Sequence, residues 1–454
     1  MAELQALMRT IQAGIEKETV EGTLATEANS SAVLLREDGL DIQISRESLE
    51  GGFMTGSLSK TAPIAGMYGD DIGWTYPTYA RGKGTLTKPD YHVAMESLFG
   101  VEEANTNDTV AETPAPTTTT FTAGSGANDL AEGQLIMVNG EITQITDIST
   151  QAITVWPPLS AAPAKDDVIY AGCNWMLSST AWPTFSSFLH FDGNRKLTFA
   201  GCRSNSLSMT FEVGQRCALD FGVIALTPAM STAAIGTTPT LDRVTAPPVC
   251  LGMTLSATFA GVAKGTPTTT STILNAPNFD VAVGDDIMVE TATGWETKAI
   301  SVVSGDSGGD ITLTHAALSE AASAAETVYI RRKKCASIGD SLTINIEMEV
   351  ETLKCMQASA GKMASLPTSR TVTIDKSPYF KSWQEFLMRD NVVGMELMIK
   401  LGSTAGNIFT LYMPNVVNSE VSLGMDALMR VEASAQAVVG SRMGNDFEIV
   451  VATF

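Results

Sequence analysis

The sequence predicts a mainly β protein: a framework laid down twice, each half with one short helix, and two small β modules inserted into it. Three observations predict this class. Short runs of β-branched and aromatic residues alternate with Gly, Asp and Asn turns; one Thr/Pro-rich lead-in with its β pattern occurs twice; and a strand-then-helix pattern also occurs twice.

The inserts are the clearer repeat. Thr113-Pro-Ala-Pro-Thr-Thr-Thr-Thr120 corresponds to Thr266-Pro-Thr-Thr-Thr270, and Gly133-Gln-Leu-Ile-Met-Val138 to Gly284-Asp-Asp-Ile-Met-Val289. Downstream, Ile153-Thr-Val155 aligns with Ile311-Thr-Leu313, Leu159-Ser160 with Leu318-Ser319, and Val168 with Val328. Order is kept and only loop lengths differ, so each copy reads as one folding unit. The boundaries expected are 113–171 and 264–333 for the inserts, with framework at 1–104, 172–262 and 334–454.

The framework repeats more faintly. Thr85-Leu-Thr87 leads into a helix over Asp90–Phe99, and Thr371-Val-Thr373 leads into one over Ser377–Leu387. Asp90 and Ser377 are the expected N-caps, and Pro378 suits a first helical position. Phe380, Trp383 and Leu387 then fall on one stripe. After each helix comes a hairpin: Ser187–Phe191 with Arg195–Phe199 across Asp192-Gly-Asn194, and Met395–Leu401 with Asn407–Leu411 across Gly402–Gly406.

Composition narrows the function classes. A chain of 454 residues with 44% hydrophobic content can bury substantial cores. The longest apolar runs, such as Gly222–Leu226, fall far short of the ~18 residues a spanning helix needs, so no membrane segment is expected. The first residues lack the basic and apolar regions of a secretory signal, which points to cytoplasmic synthesis. Cys173, Cys202, Cys217, Cys250, Cys335 and Cys355 are scattered without a CxxC or His at ligand spacing; they read as reduced, mostly buried small residues, with no metal site. Fifty acidic against 29 basic residues give a net charge of −21, which repels phosphates rather than gripping them.

Motifs that suggest chemistry are each outweighed. Gly305-Asp-Ser-Gly-Gly-Asp310 resembles a serine-protease nucleophile loop, but His92 falls in a helix and His190 in a strand, neither in that family's context. A hairpin turn is the better account. Gly124-Ser-Gly126 is too short to cradle phosphate. Arg331-Arg-Lys-Lys334 reads as a solvated strand end, with contact to an acidic neighbour or nucleic acid as the alternative. Asp70-Asp71, Asp166-Asp167 and Asp285-Asp286 read as solvated turn residues, and His315, opposite Trp156 in the other copy, as an exposed or half-buried strand position. No residue is assigned a catalytic, cofactor-binding or metal-binding role.

Several segments together resemble the major tail tube proteins of long-tailed, siphophage-type bacteriophages. They are Ile11-Gln-Ala-Gly-Ile-Glu-Lys-Glu-Thr-Val-Glu-Gly-Thr23, with its E-T-x-x-G-T turn; Gly84–Thr87 with Leu98-Phe-Gly100; Phe191–Phe199; Ser204–Val213; Ile344–Glu349; Arg370–Thr373; and Ser403–Asn407. Their order matches that family over roughly 8–104, 172–262 and 334–454. The likeness selects a strand from about residue 9, where Leu4, Leu7, Met8, Ile11 and Ile15 alone would also suit a helix. It implies a duplicated β-sandwich or barrel domain whose hairpins join those of neighbouring subunits around a lumen.

The expected function is then a structural virion protein, not an enzyme and without cofactors. It would assemble with itself into stacked rings, of three chains if both halves are tube domains and otherwise six, forming a negatively lined conduit for DNA that passes without specific binding. The resemblance further implies a tape measure protein in the lumen, terminator and tip proteins at the ends, and a place in the virion tail. Two alternatives remain: a secreted or surface β-rich adhesive or carbohydrate-binding protein, for which Trp156 and Trp295 are the candidate exposed aromatics, and, more remotely, a hydrolase.

Overall fold

The structure is a computed structural model that describes residues 11–49, 64–69, 72–84, 87–124, 129–191, 195–232, 245–251, 253–292, 294–305, 309–332, 341–357, 361–380, 383–425, 429–440 and 448–454. It is mainly β, with antiparallel sheets and a half-barrel. Among the described residues strand makes up 56% and helix 5%, so sheets build the molecule and two helices attend them.

The framework is a pair of matching sheet units. In the first, Gln12–Lys17 runs antiparallel to Phe185–Phe191, from Gln12 opposite His190 to Lys17 opposite Phe185. In the second, Thr254–Val262 meets Met395–Leu401, from Thr254 opposite Lys400 to Phe259 opposite Met395. Both hairpins read from the sequence form, and each returns in a long strand, Arg195–Glu212 or Phe409–Met425. Each long strand bulges, between Ser204 and Ser206 or between Asn418 and Glu420, as it passes to its next neighbour, Ala218–Ile224 or Met429–Ala437. That neighbour pairs with Gly73–Tyr79 in one unit and Lys362–Lys376 in the other. Chain order, pairing and bulge position all recur.

The long strands follow from alternation. Leu207, Met209 and Phe211 are buried while Ser206, Ser208 and Thr210 between them are half-buried, a period of two that only an extended chain satisfies. One apolar core runs through both units, joining Ile15, Trp175 and Phe199 to Phe259, Ile374 and Phe409.

Helix α1 (His92–Phe99) and helix α2 (Gln384–Asp390) each pack on their unit's long strand. Neither is capped as the sequence suggests. Asp90 is buried and held by Arg81 and Lys83, which leaves Tyr91 at the cap position with no side-chain bond to the helix's free N–H groups. Ser377 and Pro378 precede α2 altogether: the Pro378 carbonyl accepts from Val431 N (2.8 Å), and Phe380 N donates to the Met429 carbonyl (3.0 Å). Sheet pairing takes those groups, and the helix starts at Gln384. Its buried residues are Gln384, Glu385 and Met388; Trp383 is exposed and Leu387 half-buried, so the expected stripe is not the packed face. Thr87 is outside any strand, and Thr85 and Leu86 lie outside the described residues.

The inserts share one topology in detail. The first is a six-stranded sheet including Leu135–Val138, Glu141–Ser149 and Ala152–Trp156. In the second, Asp286–Thr291, Gly294–Ser304 and Ile311–His315 pair in the same sequence. Gly133 N bonds Ile145 O at 2.8 Å and Gly284 N bonds Ile300 O at 2.9 Å, each beside a bulge. Leu159 N reaches Thr118 O (2.9 Å) where Leu318 N reaches Thr269 O (2.8 Å). Ser160 N and Ser319 N then bond Glu141 and Glu296 respectively.

Two sequence alignments shift. Val155 N bonds Thr119 O and His315 N bonds Thr270 O, so His315 matches Val155, and Ile153 matches Leu313 rather than Ile311. A two-residue slip leaves every side chain on its face, which is why the alternating pattern alone could not detect it. Tyr170 opposite Met137 matches Tyr329 opposite Met288, so the partner of Val168 is Thr327. That single-residue slip does change faces: Val168 is exposed and Val328 buried.

The inserts attach differently. The first has its own core of Phe121, Ile136, Val138, Ile145, Ile153 and Val155. Ile287, Val289, Leu313 and Ile330 of the second merge with the framework core, because Thr327–Arg332 lies along Thr254–Val262 as a sheet neighbour.

Candidate functional site: the seam between the units and its open counterpart

The two units meet along a continuous strand pairing. Residues 206–212 of the first unit's long strand run antiparallel to residues 341–347 of the second, from Ser206 opposite Glu347 to Glu212 opposite Ser341. Ser208 Oγ donates to Asn345 Oδ1 at 2.7 Å. Backbone pairing gives such a joint its strength, and alternating side chains set its register.

Three further contacts close the seam. Arg203, 2% exposed, donates through Nε to Ser365 Oγ and through Nη2 to Ser365 O, both 3.0 Å. Glu21 accepts from Ser365 N at 2.8 Å and lies 3.6 Å from the guanidinium. Burial pulls the Arg203 guanidinium below its ordinary value, with Glu21 opposing. Gly82 N donates to Asn407 Oδ1 and Gly84 N to Gly406 O, both 3.0 Å. A Cβ on Gly82 would stand 2.1 Å from that Gly406 oxygen, so only glycine permits the approach. Lastly, Cys173–Leu177 pairs with Val450–Thr453.

The outer flanks carry the same edges without a partner. Residues 420–425 pair with Met429–Ala437 on one side, and Ile42–Gln43 pairs with Gly73–Tyr79; among the described residues the other side of each stays open.

The two inserts touch each other, and the first also touches Met395–Leu401. Trp156 packs against Trp295 (5.0 Å between ring centres) and Tyr329 (4.9 Å), and its Nε1 donates to both oxygens of Glu396 (2.9 and 2.8 Å). Thr118 Oγ1 donates to Trp295 O at 2.8 Å, and Lys400 Nζ to Gly140 O at 2.6 Å. The aromatics considered for a sugar platform therefore face one another.

The other singled-out residues fall as follows. Arg331 pairs with Asp286 at 3.0 Å and Arg332 lies 4.0 Å from Asp285. Both aspartates are buried, not solvated, because the register sets Asp286 opposite Arg331. Asp166 and Asp167 do form a turn, in which Asp167 accepts from Ala164 N and Asn139 Nδ2 at 2.7 Å each. His315 is buried, not exposed or half-buried as expected, and lies 3.0 Å from Thr272 Oγ1. His190 is buried against Glu27. Gly305 follows Gly294–Ser304 and Asp310 precedes Ile311–His315, two strands that pair with each other, and Asp310 bonds Lys264 at 2.7 Å. Asp70, Asp71, Ser125, Gly126, Ser307, Lys333 and Lys334 lie outside the described residues.

Of the cysteines, Cys173, Cys202, Cys217 and Cys250 are buried and Cys355 half-buried, all as free thiols; Cys335 lies outside the described residues. Burial pushes the Cys202 and Cys217 thiols far up. No helix among the described residues is long and apolar enough to cross a membrane.

Two buried carboxylates carry roles that sequence reading missed. Glu18 accepts from Gly22 N (2.9 Å), Thr184 Oγ1 (2.9 Å), Ser186 Oγ (2.7 Å) and Gly201 N (2.8 Å), so the E-T-x-x-G-T turn is tied down by its own glutamate. Glu102 accepts from Trp175 Nε1 (3.2 Å), pairs with Lys88 and lies 3.2 Å from His92 Nδ1, while His92 Nε2 is 3.4 Å from Ser31 Oγ. Burial alone would push the Glu102 carboxyl up; His92 and Lys88 outweigh it and hold it below the ordinary 4.5. No family model matches the chain, and a search of curated proteins finds no match either.

Proposed function

We propose that this chain is a structural virion protein of the tail tube kind, which assembles with itself into stacked rings enclosing a conduit for DNA. The observation that carries the reading is the tandem repeat of one sheet unit, joined inside the chain by strand pairing and, among the described residues, open at both flanks. A half-barrel with open edges is completed by further copies, since closure is what removes free sheet edges. The charge of −21 supports a channel that repels phosphate. On this reading Ser31, His92 and Glu102 form a clamp, not a catalytic triad: Lys88 and Trp175 share the same carboxylate, which fixes it between α1 and the two strands beside it. Negative-stain imaging of the purified chain tests the proposal. Hollow rings or tubes are expected, and a field of dispersed single particles at high concentration and moderate salt would refute it.

A further inference from the structure

We propose that the seam inside one chain is repeated between chains: residues 420–425 of one copy take residues 40–45 of a second copy as their antiparallel neighbour. This rests on the ring reading and specifies the joint it needs.

The register follows from the internal repeat. The bulge after Ser204 matches the bulge after Asn418, so Leu207 corresponds to Val421, Ser208 to Ser422 and Met209 to Leu423. On the other side, Ile344 lies opposite Ile374 and Asn345 opposite Thr373, while Ile42 lies opposite Trp74 and Gln43 opposite Gly73. Trp74 and Ile374 themselves occupy equivalent places against Ala218–Ile224 and Met429–Ala437. Ile42 is therefore the counterpart of Ile344, and Gln43 of Asn345. Within the chain Met209 faces Ile344 and Ser208 faces Asn345. Between chains Leu423 would face Ile42, and Ser422 would face Gln43.

Burial differs between the equivalent positions in the direction this requires. Met209, Ile344 and Ile346 are fully buried, whereas Leu423, Ile42 and Ile44 are only half-buried. The cap residues of the helices differ the same way: Tyr91 is 0% exposed and Trp383 60%. Tyr91 donates to Arg81 O in the loop that Gly406 and Asn407 of the second unit hold down. Trp383 instead stands exposed beside Phe380 (5.2 Å) and Phe386 (5.4 Å), which are themselves half-buried. Leu423 and Trp383 of the second unit thus lack the cover that Met209 and Tyr91, their counterparts in the first, receive inside the chain. An unpaired edge of matching pattern is also the ordinary means by which sheets extend from one chain to another.

The test is a cysteine pair at exposed positions, Gln43→Cys with Ser422→Cys, in a chain carrying Cys335→Ser and Cys355→Ser. Mild oxidation of assembled protein should give a ladder of covalently linked chains on a non-reducing gel, while either cysteine alone gives none. Ser208→Cys with Asn345→Cys is the control and should close within one chain. Hydrogen exchange on the unsubstituted chain gives an independent readout: amides of 40–45 and 420–425 should slow by about tenfold or more on assembly. Rings that form without either the ladder or the slowing overturn this joint and leave the ring reading standing. Absence of rings from the unsubstituted chain overturns both.

Discussion

At the scale of single residues, the buried carboxylates set the conditions under which the first unit holds together. Glu102 joins α1, Gly100–Ala104 and Cys173–Leu177, and its carboxyl is held below 4.5. A depressed carboxylate contributes stability that is fully present above its unfolded value and fades as pH falls through the folded one. Glu102→Gln should therefore cost about 1–3 kcal/mol at pH 7, measured by denaturant unfolding, and the gap to the unsubstituted chain should narrow as pH falls below 4.5 and through the folded value. A gap that persists unchanged into acid would mean that shape rather than charge matters there. Neither Glu102 nor Glu18 was legible in the sequence as a junction. The turn around Glu18 was recognisable, but its donors Thr184, Ser186 and Gly201 come from distant chain, and only folding brings them to one carboxylate.

At the scale of elements, alternation and turn residues located the hairpins around 187–199 and 395–411, because each is a local pattern with its turn between its strands. Register and caps were less accessible. The Ile-Thr alternation of the inserts looks the same after a two-residue slip, and Ser377-Pro378 has the spelling of a helix start while its backbone bonds belong to residues 429–431. The differing attachment of the two inserts was also hidden, since it depends on which strand lies beside Thr254–Val262. It has a consequence for deletion. Replacing residues 114–169 by a short Gly/Ser joint should leave a folded, assembling chain, because that insert keeps its own sheet and core. Replacing 267–331 removes nearly all of a strand paired with Ala257–Val262 and uncovers Trp156, so that variant should melt clearly lower. Equal melting temperatures for the two deletions would contradict this asymmetry.

At the scale of the whole molecule, charge bears on the proposed conduit. Arg331 and Arg332, the described part of the one basic cluster, are already engaged with Asp286 and Asp285, which leaves the acidic excess to dominate. Binding to duplex DNA draws on counterions released by lysine and arginine, and a surface of the opposite sign supplies no such term. Gel-shift titrations at falling salt should therefore show no sub-micromolar binding near physiological ionic strength; tight binding that weakens steeply with salt would replace a conduit with a DNA-gripping coat.

The central claim is that one chain is an incomplete ring whose missing neighbours are copies of itself. Native mass spectrometry of the 48.0 kDa chain, released gently from assembled material, tests it most directly. Closed species built from a fixed small number of chains are predicted, with three favoured because each chain carries two sheet units. A spectrum of monomers alone, or of open-ended aggregates with no preferred number, would contradict it.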